Sequence, residues 1–221
     1  MVHKLHNLRP MLLIIVIPIL FSCATTQQKQ VKSKDAQFYN NRGIAYAAKG
    51  QYDRAVSDFT MALVINPRDA LAYYNRGIIY MAKGQYDHAV SDFTMALVIN
   101  PRDADAYYNR GIAHGKEGQH DQTISDYTMA LEINPRDALA YYSRGITYTA
   151  KGQYDRAVSD FTMALEINPR DALAYYNRAR AYYFKEEYDK SWRDIKKAQD
   201  LGYKVHRKFL DDLRKASGRK K

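Results

Sequence analysis

The chain has 221 residues, a net charge of +10 and a single cysteine, with 46% hydrophobic and 26% charged residues. One cysteine excludes an internal disulfide, so apolar packing must hold the fold together. There is no HExxH, no serine-centred glycine elbow and no phosphate-cradling glycine loop, and the carboxylates recur at fixed intervals rather than as an isolated couple, which argues against an enzyme.

The N-terminus carries Lys4 and Arg9, then an eleven-residue apolar run from Met11 to Phe21 broken by Pro18. A membrane-spanning helix takes about 20 apolar residues, so this shorter run has the layout of a secretory signal. Leu20-Phe21-Ser22-Cys23 resembles a bacterial lipobox, with Phe21 an unusual occupant of its position. That resemblance implies that residues 1–22 are a lipoprotein signal peptide cleaved before Cys23, whose sulfur is lipidated and whose new amino group is acylated. The alternative is an ordinary signal with an unmodified cysteine. Each buried CH₂ contributes about 0.8 kcal/mol, so a multiply acylated cysteine would anchor almost irreversibly. Ala24 rather than aspartate follows the cysteine, which by analogy with Gram-negative lipoproteins implies the periplasmic face of the outer membrane. An exported chain is not expected to meet nucleic acid, whatever its charge. Residues 24–35, ATTQQKQVKSKD, are polar and aperiodic, so segment 23–35 reads as a lipidated cysteine and tether. Twelve flexible residues reach on the order of 20 Å.

From Ala36 the sequence repeats itself every 34 residues. Asn-Pro-Arg-Asp begins at Asn66, Asn100, Asn134 and Asn168, and Arg-Gly follows an aromatic-rich run at Arg76, Arg110 and Arg144. Four copies occupy residues 36–69, 70–103, 104–137 and 138–171; a fifth, 172–203, keeps Ala-Tyr-Tyr-Asn-Arg but loses the glycines and the Asn-Pro stop. A fixed period in this range means one supersecondary unit stacked on copies of itself. Within a copy, Tyr39, Gly43 and Tyr46 and then Ala55, Phe59 and Ala62 fall at helical spacing, predicting two amphipathic helices. Gly50 suits the left-handed residue past a helix end, and Asn66 before Pro67 ends the second helix. Asp53 and Asp69 are expected to accept hydrogen bonds at helix starts.

These features resemble the tetratricopeptide repeat, in length and in Gly43, Tyr46, Ala55, Phe59 and Pro67, with Tyr39 where the family usually has tryptophan. The resemblance implies an all-α solenoid, a right-handed superhelix of helix-turn-helix repeats that binds protein or peptide partners on its concave face. Numbering each copy from its first alanine, places one, four, eight and eleven would pack on the partner helix, while two, five, six and nine would line the concave stripe. That stripe carries Asn41, Asn75, Asn109, Ser143 and Asn177 at place six, Tyr74, Tyr108, Tyr142 and Tyr176 at place five, and Ile44, Ile78, Ile112 and Ile146 at place nine. An amide has donors and an acceptor, so a row of them can pair with an extended backbone; bonding between neighbouring helices is the alternative. The stripe lacks the cations of a carboxylate clamp, Arg180 excepted.

Arg42, Arg76, Arg110, Arg144 and Arg178 stand where the family usually has leucine, matched by Asp58, Asp92, Asp126, Asp160 and Asp194. A ladder of structural ion pairs is expected, each contributing about 0.2–1 kcal/mol if exposed. Copy three departs from its neighbours, with His114 and His120 for tyrosines and Asp105 for leucine, but histidines six apart do not share a helix face for a metal. No cofactor is expected. Residues 204–221 combine a capping helix built on Val205, Phe209 and Leu213 with a basic tail, eight basic residues against Asp211 and Asp212. The whole reads as a lipid-anchored adaptor or assembly scaffold of the bacterial cell envelope. A self-associating array, giving a homo-oligomer, and attachment to an envelope polyanion through the basic end are the alternatives.

Overall fold

The connection Asn-Pro-Arg-Asp explains each repeat boundary residue by residue. Asn66 leaves the helical region (φ −128°, ψ 88°) because proline follows, and its N–H makes the last helical bond to the Ala62 carbonyl. Its side-chain oxygen accepts from the Arg68 N–H, and Asp69 then accepts from the Ala72 N–H at 3.1 Å, capping the next helix. Asp103, Asp137 and Asp171 cap in the same way. Asp53 does not: Gln51 occupies the cap position without a side-chain bond, and Asp53 lies inside the first turn, where a carboxylate favours the positive end of the helix dipole. The turn within a copy rests on Gly50, at φ 69°, with the Gln51 N–H returning to the Tyr46 carbonyl at 2.9 Å. Copy five lacks this glycine, and Glu186 takes the left-handed conformation at φ 61°.

A computed structural model describes residues 35–219 of the chain. Residues 1–34, where the signal peptide, the lipidated Cys23 and most of the tether are expected, lie outside the described residues. Those described form eleven helices: α1 (35–48), α2 (Tyr52–Ile65), α3 (Ala70–Ala82), α4 (Tyr86–Ile99), α5 (Ala104–Lys116), α6 (His120–Ile133), α7 (Ala138–Ala150), α8 (Tyr154–Ile167), α9 (Ala172–Phe184), α10 (Tyr188–Asp200) and α11 (Arg207–Ser217). The fold is an all-α solenoid of helix-turn-helix repeats with a C-terminal cap, and the chain divides into two compact units after residue 72.

In the first unit, α1 packs on α2 around Phe59, which is 1% exposed and is reached only because Gly43 faces it. A Cβ at Gly43 would stand 2.8 Å from the Phe59 ring. The second unit repeats this contact at Gly77 with Phe93, Gly111 with Tyr127 and Gly145 with Phe161. Each buried phenylalanine contributes about 1.5–3 kcal/mol. The core of this unit runs on from copy to copy: Ala89 and Phe93 of α4 pack with Ala113 of α5, and Ala157 and Phe161 of α8 with Ala181 of α9. In copy five, Ala179 replaces the glycine and Ile195 the phenylalanine, so one side chain grows where its partner shrinks. Leu213 of α11 is fully buried on that pair, with Val205, Phe209 and Trp192 around it. The Trp192 N–H donates to the Ser217 hydroxyl at 3.1 Å, fixing the cap's far end. Among the described residues no helix is long and apolar enough to cross a membrane.

Candidate functional site

The row at places five and six forms a clasp between consecutive copies of the second unit. The Asn109 amide donates to the Tyr74 hydroxyl at 3.0 Å and to the Asp105 carbonyl at 2.8 Å. Asn177 donates likewise to the Tyr142 hydroxyl at 2.9 Å and the Leu173 carbonyl at 3.0 Å. Both amide hydrogens of each asparagine are therefore committed, leaving its carbonyl oxygen as the remaining bonding atom. The tyrosines lie half-buried, with Tyr74 against Phe93, Tyr108 against Tyr127 and Tyr142 against Phe161, at ring separations of 5.3–5.8 Å. Burial pushes the Tyr74, Tyr108 and Tyr142 phenols up, so they stay neutral and act as hydrogen-bonding hydroxyls. Tyr176 packs instead on Tyr203 and Phe209, joining the row to the cap. Asn41 is exposed and Asn75 half-buried.

Serine at place six of copy four has a local cause. Tyr127 stands where copies one, two and four have phenylalanine, and burial pushes its phenol up while nearby Ser143 opposes that rise. The Ser143 hydroxyl also lies 3.1 Å from the Tyr108 hydroxyl. The Ser143 hydroxyl therefore bonds the Tyr108 phenol and lies on the Tyr127 side of the same contact. Sequence inspection missed this pairing, although both replacements interrupt otherwise regular positions.

Beside the clasp the same stripe is wet and apolar. Leu139 is 57% exposed, Leu173 47% and Ile146 38%, whereas Ile78 and Ile112 are half-buried. Asp105 is exposed in copy three, and Arg180 in copy five lies over the Tyr176 ring at 6.0 Å. In the first unit, Ile44 and Leu71 are exposed.

The recurrent arginines pair with the matched aspartates, and in the second unit they are half-inside the structure, so the energy of an exposed pair does not apply. Arg144 donates through Nε and Nη2 to both Asp160 oxygens, each at 2.8 Å, and through Nη1 to the Thr128 hydroxyl of the preceding copy at 2.9 Å. Arg110 and Arg178 make the same three bonds with Asp126 and Thr94, and with Asp194 and Thr162. Arg76 forks Asp92, and in the first unit Arg42 forks Asp58. All five aspartates are buried. The guanidinium of Arg144 also sits between the Tyr141 and Tyr148 rings, and its hydrogen bond to Asp160 raises its pKa.

A second ladder joins copies at their rims and breaks at copy three. Lys151 pairs with Asp121, and Lys185 with Asp155 at 2.8 Å. The equivalent place in copy three is Glu117, which meets the Asp87 carboxyl instead. His114 Nδ1 lies 2.6 Å from the Gln119 side-chain oxygen and its Nε2 3.8 Å from Asp126, so this histidine is held in a protein network. Among the described residues no group of three or more histidine, cysteine, aspartate or glutamate side chains could hold a metal ion.

Paired helices stacked on a 34-residue period, clasped copy to copy through side chains, define a helical repeat protein. Sequence models described as tetratricopeptide repeat match residues 70–103, 104–137 and 138–171, and 161–193, and one described as TPR repeat matches 43–84. The chain belongs to the tetratricopeptide repeat family. It is similar to the solved structure of YrrB, described as a TPR protein with an unusual peptide-binding site, at 28% identity and TM-score 0.70, over 80% of this chain and 91% of that one. It is also similar to a structure of MamA at 26% identity and TM-score 0.71, over 72% and 93% of the two chains. PilF of Pseudomonas aeruginosa shares the fold at TM-score 0.69 with 18% identity, over 85% and 86%. No curated protein matches the chain.

Proposed function

We propose that this chain is a lipid-anchored scaffold of the bacterial cell envelope that binds a peptide or protein segment along the first-helix stripe. The observation that carries the binding reading is the exposure of Leu139, Ile146 and Leu173 beside the clasped Tyr–Asn row. Leucines about half exposed on consecutive copies present apolar surface to water that a bound segment would cover. The clasp fixes the row's shape in advance, which lowers the ordering cost of association. The asparagine carbonyl oxygens then accept from backbone N–H groups of the segment. Similarity to YrrB, whose description names a peptide-binding site, supports the same class of activity.

Cys23 supplies the anchor in this reading, and the polar segment that follows it, residues 24–35, the tether. Affinity capture from envelope extracts tests the surface. A partner retained by the native domain and lost by Leu139→Glu/Leu173→Glu, with unchanged helicity, supports the stripe; equal capture removes it. Substituting exposed leucines avoids loosening the inter-copy clasp, which replacement of Asn109 or Asn177 would do. Mass spectrometry of the mature N-terminus tests the anchor, which requires a diacylglyceryl and acyl increment on Cys23 that is absent from Cys23→Ser.

A further inference from the structure

Between α9 and α10 lies a cavity of about 670 Å³, lined by Tyr175, Arg178, Tyr182, Lys190, Arg193 and Lys197, together with Asp194, Lys196 and Asp200. These residues do not belong to the stripe proposed to bind a peptide. The copies themselves show what is unusual about this one. At the place of Arg193 the four earlier copies have Ser57, Ser91, Ser125 and Ser159; at that of Lys197 they have Met61, Met95, Met129 and Met163. Lys196 stands where every earlier copy has threonine. Three neighbouring positions, uniform through four copies, thus all become cationic in the fifth.

The protein does not neutralise the result. Arg178 and Asp194 cancel through their two-bond fork, Lys190 pairs with Glu187 at 2.5 Å, and Lys196 approaches Asp200 at 3.5 Å. Arg193 and Lys197 have no hydrogen-bonding or ionic side-chain partner among the described residues. Like charges one turn apart on a helix disfavour it, so this cluster costs stability that a bound anion would return.

We propose that the cavity binds a small ligand carrying phosphate groups. A cation fork and an ammonium one turn apart match the several acceptor oxygens and roughly −2 charge of a phosphate, whereas a single carboxylate would leave charge over. The volume falls in the range of small-molecule sites, about 300–1,000 Å³, and the Tyr175 and Tyr182 rings offer walls for the rest of the ligand. The same chemistry is met in a lipid headgroup and in a soluble phosphate ester.

Inorganic pyrophosphate titrated into the full chain at low salt, followed calorimetrically, tests the site. Native protein is expected to bind saturably at one site, and Arg193→Ser/Lys197→Met, which installs the residues of the earlier copies, to bind at least about tenfold more weakly with unchanged circular dichroism. Arg193→Gln serves as a second variant that keeps side-chain length. Lys208→Ala/Lys215→Ala in the cap is expected to bind as the native chain does. Phosphatidylglycerol vesicles distinguish the sources: binding that pyrophosphate competes away and the double variant lacks assigns the site to lipid phosphate, and pyrophosphate binding without vesicle binding assigns it to a soluble ester. Equal affinity in native and double-variant protein overturns the proposal. So does displacement of pyrophosphate by polyglutamate at lower concentration, which would assign the cavity to acidic peptides.

Discussion

Replacing Arg144 with leucine, the family's usual residue at that place, isolates the part played by the arginine ladder. The substitution removes two bonds to Asp160 and one to Thr128, all between 2.8 and 2.9 Å. The Asp160 side chain is only 6% exposed and that of Arg144 16%, so the carboxylate left behind is buried without its counter-ion. Breaking a buried pair in this way costs about 3–5 kcal/mol, against about 0.2–1 kcal/mol for a pair in solvent. Urea unfolding, followed both by circular dichroism and by the fluorescence of the single tryptophan, Trp192, measures the loss and shows whether the array unfolds as one transition. Combining Arg144→Leu with Asp160→Ala should lose less than the sum of the single variants, with a coupling of about 2 kcal/mol or more. A loss below about 1 kcal/mol for Arg144→Leu would refute the reasoning and return these pairs to the class of surface ornaments.

Gly145→Ala places a Cβ 2.8 Å from the Phe161 ring and should cost about 1–3 kcal/mol by thermal unfolding, with Gly145→Ala/Phe161→Ile recovering most of it as Ala179 and Ile195 do in copy five. No recovery would mean that the two positions are not complementary. Glu186→Gly relieves a left-handed glutamate and should stabilise the chain by about 1 kcal/mol, and an unchanged denaturation midpoint would argue against strain there. Burial, and then the hydrogen bond and charge of Asp87, push the Glu117 carboxyl up, with His114 opposing. The folded state therefore holds this proton more tightly than the unfolded chain, and the associated stability is lost as pH rises from the ordinary carboxylate range through the raised value. Glu117→Lys, restoring the residue of the other rims, should raise the melting temperature at neutral pH and flatten its fall with pH; a lower melting temperature would contradict the carboxyl pair.

The clasp shows where a linear reading stops. Tyr74 and Asn109 are 35 residues apart, one more than the period, and both positions were visible as rows. Their pairing follows from the rotation of one copy on the next, which brings place five against place six of the following copy. The same stacking brings Thr128 to Arg144 and Asp87 to Glu117. The amide donors of Asn109 and Asn177 are spent inside the array for that reason. The cavity at α9 and α10 was also out of reach, because Tyr175 and Arg193 belong to different helices and share a wall only after the turn at Glu186 folds one onto the other.

What the residues determined alone is the repeat unit and its boundaries. Helical spacing, the Asn-Pro-Arg-Asp boundary and the Gly–Phe contact depend on near neighbours and on a period that sequence displays directly. Tertiary structure decided burial and partnership between copies: which carboxylates are enclosed, which amides are spent and which leucines stay in water. Those outcomes depend on the angle at which one helix pair lies on the next, and that angle is set by many side-chain contacts at once rather than by any spacing along the chain.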